Sequence, residues 1–425
     1  MLEDQLYRTS TQYRLWSFTK ESLGSIRQNT NSLASSRVKV AIRRAQEARR
    51  PASTPGESNG ANSKDKGTAG TKEAVPCLTA EDELELVQYY CEKTLELGDE
   101  YKPPLPTTVR ATAIQYLRRF YLTNSPMTYH PKSIMPCAVF LATKTDNYYM
   151  PLRSFAEKIP NTTPEDIIAP EFLLTQGLRF AFEIRHPFRG LEGGIMELTA
   201  IAQGNGSAAP HHTGVTSAML QEIINSVPSP SPEGVAPASV TDRIATAHGK
   251  SRQILKTAAQ MTDAYFLYTP SQIWLSALLL VDKPLLDFYL DTKLARAKDD
   301  PHPSWIPQVV PHLICDMHKL SALRGELDTV LANCSALLNA YLTSHDPNAP
   351  PDPARMKNLK RIGKKLYHCQ NPEKHSELNA SGARAGKREG SGSVTPALLP
   401  TAGEDDTEGR TPKKRKLEAD AADAG

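Results

Sequence analysis

The stretch PSQIWLSALLLVDK, Pro270 to Lys283, repeats the plan of PKSIMPCAVFLATK, Pro131 to Lys144. Pro131 and Pro270, Ile134 and Ile273, Ala138 and Ala277, Leu141 and Leu280, and Lys144 and Lys283 pair at one offset, 139 residues (270 minus 131). Thr269 suits a helix cap and Pro270 the first helical position, and the residues that follow are apolar on nearly every side. A helix of that kind needs a surrounding layer to cover it. Written twice so far apart, it predicts two tandem helical bundles, each built around its own buried helix.

The rest of the pattern agrees with an all-α class. In TAEDELELVQYYCEKTLELGDEYK, Thr79 and Asp82 form a capping box, and Leu84, Val87, Cys91 and Leu95 recur at helical spacing. Val109, Ala113, Leu117 and Phe120 do the same in the next segment. Period-2 runs bounded by hairpin turns are lacking. Near the N-terminus, Phe18, a Thr19 cap and Leu23 read as a hydrophobic staple opening a further helix, whose later part (SSRVKVAIRRAQEARR) is read as a solvated basic face.

Three segments carry too little apolar side chain for a core: 51–76, 204–239 and 371–425, read as disordered linker, insertion and tail. The expected organisation is therefore a leader over 1–50, the linker, a first bundle over 77–185, a second over 186–345 interrupted by the insertion, a helix over 352–370 and the tail. The helix PARMKNLKRIGKKLYH can pack on the leader or float.

Composition narrows the function. With 50 basic and 47 acidic side chains the net charge is +3, which argues against nucleic acid or membrane as the main partner. The six cysteines (Cys77, Cys91, Cys137, Cys315, Cys334, Cys369) form no C-x-x-C pair and read as reduced core thiols, with no metal site. MLEDQLYRTS lacks the features of a secretory signal, and no apolar run reaches the ~18 residues of a bilayer span, so a soluble intracellular protein is expected. No phosphate loop, H-E-x-x-H or nucleophile motif is present, so neither catalytic residue nor cofactor is expected.

The segment ELGDEYKPPLPTTVRATAIQYLRRFYLTNSPMTYHPKSIMPCAVFLATK resembles the first cyclin box, and DAYFLYTPSQIWLSALL resembles the second box of the cyclin H family. YRTSTQYRLWSFTKESL is similar to that family's leader helix and HPFRGLEG to its inter-box junction. The resemblance covers about residues 7–30 and 80–345 and is to a fungal-like variant with insertions. It implies two tandem five-helix cyclin folds with flanking terminal helices, acting as a non-catalytic regulator of a serine/threonine kinase. The partners it implies are a cyclin-dependent kinase catalytic subunit, a RING-finger assembly subunit and the core of transcription factor IIH, with no sequence-specific nucleic acid bound directly. Implied substrates, reached through the kinase, are kinase activation segments and the RNA polymerase II C-terminal repeats. The family's kinase contact falls on Lys144 and Glu171, with Leu141, Phe180 and Phe182 where apolar side chains meet the kinase's regulatory helix. An ammonium there can donate to several carbonyls while the carboxylate orients it.

Apart from the resemblance, Lys144 and Lys283 both read as cations ending a helix. Phe180 and Phe182, two apart, cannot share a helix face, so an ending or extended segment is expected, with core packing for one. Pro136 is expected to kink the buried helix, and Pro170 to start a helix at Glu171. LATKTDNYY departs from the family's apolar and acidic surround at Thr145 and Asn147, and an M-R-A-I-L docking patch is missing. The tail motif PKKRKLE, with Lys413, Lys414, Arg415 and Lys416, reads as a nuclear import signal, giving a nuclear location. Ser229, Ser231, Thr395 and Thr411 precede proline and are candidate phosphorylation sites. The competing readings are a C, K or T type transcriptional cyclin and a factor-IIB-like promoter-binding protein, whose zinc ribbon the N-terminus lacks.

Overall fold

The computed structural model describes residues 7–48, 77–209, 212, 214–230, 239–294, 318–345 and 352–373. Among them every regular element is a helix. The leader contributes α1 (Thr11–Trp16) and α2 (Lys20–Ala48). The first bundle holds α3 (Ala80–Glu100), α4 (Thr107–Thr123), α5 (Pro131–Thr145), α6 (Leu152–Ala156), α7 (Pro164–Ile168) and α8 (Glu171–Gly177). The second holds α9 (Phe188–Ala202), α10 (Ser217–Ser226), α11 (Val240–Lys256), α12 (Ala258–Met261), α13 (Ala264–Leu267), α14 (Pro270–Val281), α15 (Lys283–Lys293) and α16 (His318–Ser344), and α17 (Pro353–Gln370) follows. The architecture is two tandem helical bundles flanked by terminal helices.

The duplicated segments are α5 and α14, and each sits at the centre of its own core. Ile134, Cys137, Ala138 and Leu141 belong to one apolar cluster, Ile273, Trp274, Ala277 and Leu278 to the other. Proline opens both helices; His130 Nδ1 caps the first, and Thr269 with Gln272 forms a capping box at the second. α5 continues as helix through Pro136. Trp274 presses on α9 so closely that a Cβ at Gly190 or Gly194 would stand 2.5 or 2.6 Å from its indole. Those glycines of the junction FRGLEGG are therefore the space into which the indole fits.

Polar side chains join the two bundles. Thr112 Oγ1 donates to Asp146 and lies 3.0 Å from His186 Nε2, while His186 Nδ1 lies 2.9 Å from Tyr265 Oη. Gln260 donates to Tyr265 Oη and accepts from Gln115. Burial lowers the His186 imidazole to about 3, assisted by the Arg119 charge, so it is neutral at physiological pH. The leader crosses both bundles: Arg27 and Arg118 share Asp263, and Phe18 N–H donates to the Phe266 carbonyl.

Helix α17 docks rather than floats. Ile362, Leu366 and Cys369 join Ala34, Val38 and Ile42 of α2 and Leu86 of α3 in one cluster. Asp82, the capping-box residue of α3, accepts from Arg361 at 2.6 Å and Lys365 at 3.0 Å.

Two sequence expectations fail here. The stretch 204–239 is not featureless: α10 forms inside it, capped by Thr216, and buries Leu220 and Ile224 in the second core. Averaging over its Pro, Gly and Ser flanks hides one amphipathic helix. Lys283 does not end α14, which stops at Val281. Asp282 instead caps α15, of which Lys283 is the first residue, because its carboxylate is held by the buried Arg243 at 2.7 Å. Linker 51–76, Ser231, Thr395, Thr411 and the basic Lys413, Lys414, Arg415 and Lys416 lie outside the described residues. Ser229 lies within them, half-buried after α10.

Candidate functional site

Lys144 occupies the last turn of α5, where a cation complements the helix dipole. The helix closes in a Schellman motif: Asn147 N–H donates to the Lys144 carbonyl and Tyr148 N–H to that of Thr143. Asn147 is the left-handed residue the motif requires, φ 55°. A polar amide stands there for that reason, whatever it removes from an apolar surround.

Glu171 begins α8, directly after Pro170 as expected from sequence. Lys144 Nζ donates to both carboxylate oxygens, at 2.7 and 2.8 Å, and lies 4.7 Å from the centre of the Phe140 ring. The ammonium side chain remains 43% exposed and the carboxylate side chain 25%. Solvent screening at that exposure limits the pair's worth to folding to about 0 to 1 kcal/mol. Its geometry leaves the ammonium a free donor direction and the carboxylate unused lone pairs, so a partner's backbone can bond to both.

Large apolar side chains are exposed on and next to α8. Phe172, one residue into α8, is 69% exposed, because Leu174 and Leu178 occupy the helix's buried side. Ile168 and Phe180 are also exposed. Phe172 and Ile168 escape a motif-based reading; the sequence signal for Phe172 is an aromatic residue two positions from an i, i+4 buried pair.

The other apolar candidates separate. Leu141 is buried in the first core, so it supports α5 from beneath and is not itself a surface contact. Its position on a helix whose sides are all covered is the physical reason. Phe182 is half-buried, edge-on to Tyr116, and its carbonyl accepts from Tyr116 Oη at 2.7 Å. Core packing holds for Phe182, while Phe180 remains free for contact.

Phe180 owes its position to the end of α8. Arg179 N–H donates to the Gln176 carbonyl and Phe180 N–H to that of Thr175, a second Schellman motif. Both residues are left-handed, φ 54° and 55°, where glycine would be usual. Each costs about 1 to 2 kcal/mol in that conformation. The corresponding motif after α9 uses Gly204 and avoids that cost.

A cyclin C-terminal domain model matches residues 186–364. Cyclin CCL1 of Saccharomyces cerevisiae is 33% identical over 291 residues, 68% of this chain and 62% of that protein. Cyclin-H of Xenopus laevis is 34% identical over 127 residues, 28% of this chain and 39% of that one. The chain thus spans less than two thirds of either relative's length. A chain in the CAK complex of Chaetomium thermophilum bound to ATP-gamma-S superposes with a TM-score of 0.62 at 28% identity, covering 93% of this chain and 99% of that one. These matches support a cyclin of the H type. Lys144 and Glu171 come from separate helices, with exposed Phe172 within the second of them and exposed Phe180 just after it.

Proposed function

We propose that this cyclin binds a cyclin-dependent kinase through the Lys144–Glu171 face and holds it in its active state. The observation that carries the proposal is the ion pair itself, bridging α5 and α8 at an exposed position where folding gains little from it, with Phe172 exposed next to Glu171 on α8. A kinase needs a lysine of its small lobe paired with a glutamate of its regulatory helix to grip ATP. A cyclin that binds only the inward position of that helix shifts the population. Moving a 1:99 equilibrium to 99:1 takes about 5.5 kcal/mol of differential affinity, which an interface of ordinary size with aromatic anchors supplies.

The likeness to a CAK complex chain supports assembly with such a kinase and, on the family resemblance, a RING-finger assembly subunit and the core of transcription factor IIH. The substrates of this reading are the polymerase C-terminal repeats and kinase activation segments, and its location is the nucleus. The test is purification of the tagged chain from cells, with identification of co-purifying subunits and a kinase assay on polymerase repeats. The double variant Lys144→Ala, Glu171→Ala is expected to stay folded and lose most of its kinase. Full retention of the kinase by that folded variant removes the pair from the contact.

A further inference from the structure

Arg179 is an unusual choice for a left-handed helix end, and its side chain shows what the choice secures. Its guanidinium carbon lies 5.3 Å from the centre of the Trp16 ring, at the end of α1. That of Arg119 lies 5.1 Å from the same ring. Trp16 is buried, and its indole N–H has no hydrogen-bond partner among the described residues, so the ring face is what it offers. Arg119 is buried as well; burial lowers its guanidinium to about 10, which leaves it charged at neutral pH, and it donates to the Ala181 carbonyl at 3.4 Å. Gln12 of the same leader helix accepts from Arg185 N–H at 2.7 Å. With the Phe182 carbonyl held by Tyr116, the connector from 179 to 185 is therefore held at four points by residues of the leader and α4. Phe180, 63% exposed, has no such hold of its own and depends on its neighbours.

We propose that Trp16 is a positioning residue for the partner contact: by stacking on Arg179 it fixes the strained turn from which Phe180 projects at the end of the helix that Glu171 begins. This rests on the reading of that surface as the kinase-binding face. A glycine at 179 would remove the strain at that residue but give the leader nothing to hold. The leader, far from this surface in sequence, thereby sets the geometry of one of its anchors.

The test is a double-mutant cycle on the full chain, read as affinity for the cyclin-dependent kinase recovered with it, with the unfolding midpoint followed in parallel. Trp16→Leu is expected to weaken binding about tenfold, the scale of a desolvated cation–π contact, and Trp16→Phe to restore most of it. On a Phe180→Ala background Trp16→Leu is expected to cost nothing further, whereas on a Lys144→Ala background its effect is expected to persist in full. Arg179→Gly, which relaxes the backbone and keeps the fold, is expected to reproduce the loss; it decides the matter if Trp16→Leu fails to fold. Unchanged affinity in Arg179→Gly, or losses from Trp16→Leu and Phe180→Ala that multiply, overturns the proposal. If Lys144→Ala weakens binding and Phe180→Ala does not, this inference falls while the kinase-binding reading stands; if neither does, both fall.

Discussion

Helices α5 and α14 are built from the same plan and end differently. Toward the core they agree: Ile134 and Ile273, Ala138 and Ala277 are buried alike. At their ends the first keeps Lys144 inside the helix and reaches across to Glu171 of α8, while the second stops two residues before Lys283. Lys283 then pairs locally with Asp287, 2.6 Å away and four residues on. The charge that matters to the second bundle is one residue earlier, where Asp282 meets Arg243 in the interior. Covering an apolar helix dictates its middle; its last turn is free to serve the surface in one bundle and the interior in the other.

That contrast can be broken at several points. Arg243→Ala is expected to cost the second bundle about 3 to 5 kcal/mol, because Asp282 is left charged and buried; chemical denaturation measures it. Gly194→Ala, which drives a Cβ into Trp274, is expected to cost about 1 to 3 kcal/mol. A thermal midpoint unchanged by Gly194→Ala shows that α9 and α14 can part without loss. The bond between the bundles has a pH signature. His186 has its imidazole lowered from 6.5 to about 3, so the unfolded chain binds the extra proton first. Its contribution is full above 6.5 and is lost as pH falls through that window, and His186→Gln is expected to flatten the decline of stability measured across it. The smallest stability effects are those of Lys144→Ala and Lys283→Ala, each within about 1 kcal/mol. They differ in binding, since only Lys144→Ala is expected to reduce kinase association in a pull-down.

The fold was legible because burial leaves a periodic record: the apolar repeat, the Thr79 box and the proline starts all stand where sequence places them. What escaped depends on distant partners. Nothing near Lys283 announces that Arg243 will hold Asp282 and end α14 early. The capped run TSAMLQEIINS carried its own signal, with Leu220 and Ile224 four apart, but its flanks outweighed it in composition. In the candidate site the pairing of Lys144 with Glu171 came from family resemblance, since no spacing rule joins residues on separate helices. The hydrophobic residues there sort by tertiary environment, so Leu141 reads like Phe180 in one dimension and not in three.

The return of α17 to the leader and the first bundle bears on how the chain can be shortened. A cut near residue 350, although it falls just past the second bundle, would strip Ile362 and Leu366 from the greasy seam they fill and orphan Asp82 from both its cations. Damage from trimming one end would be felt at the other.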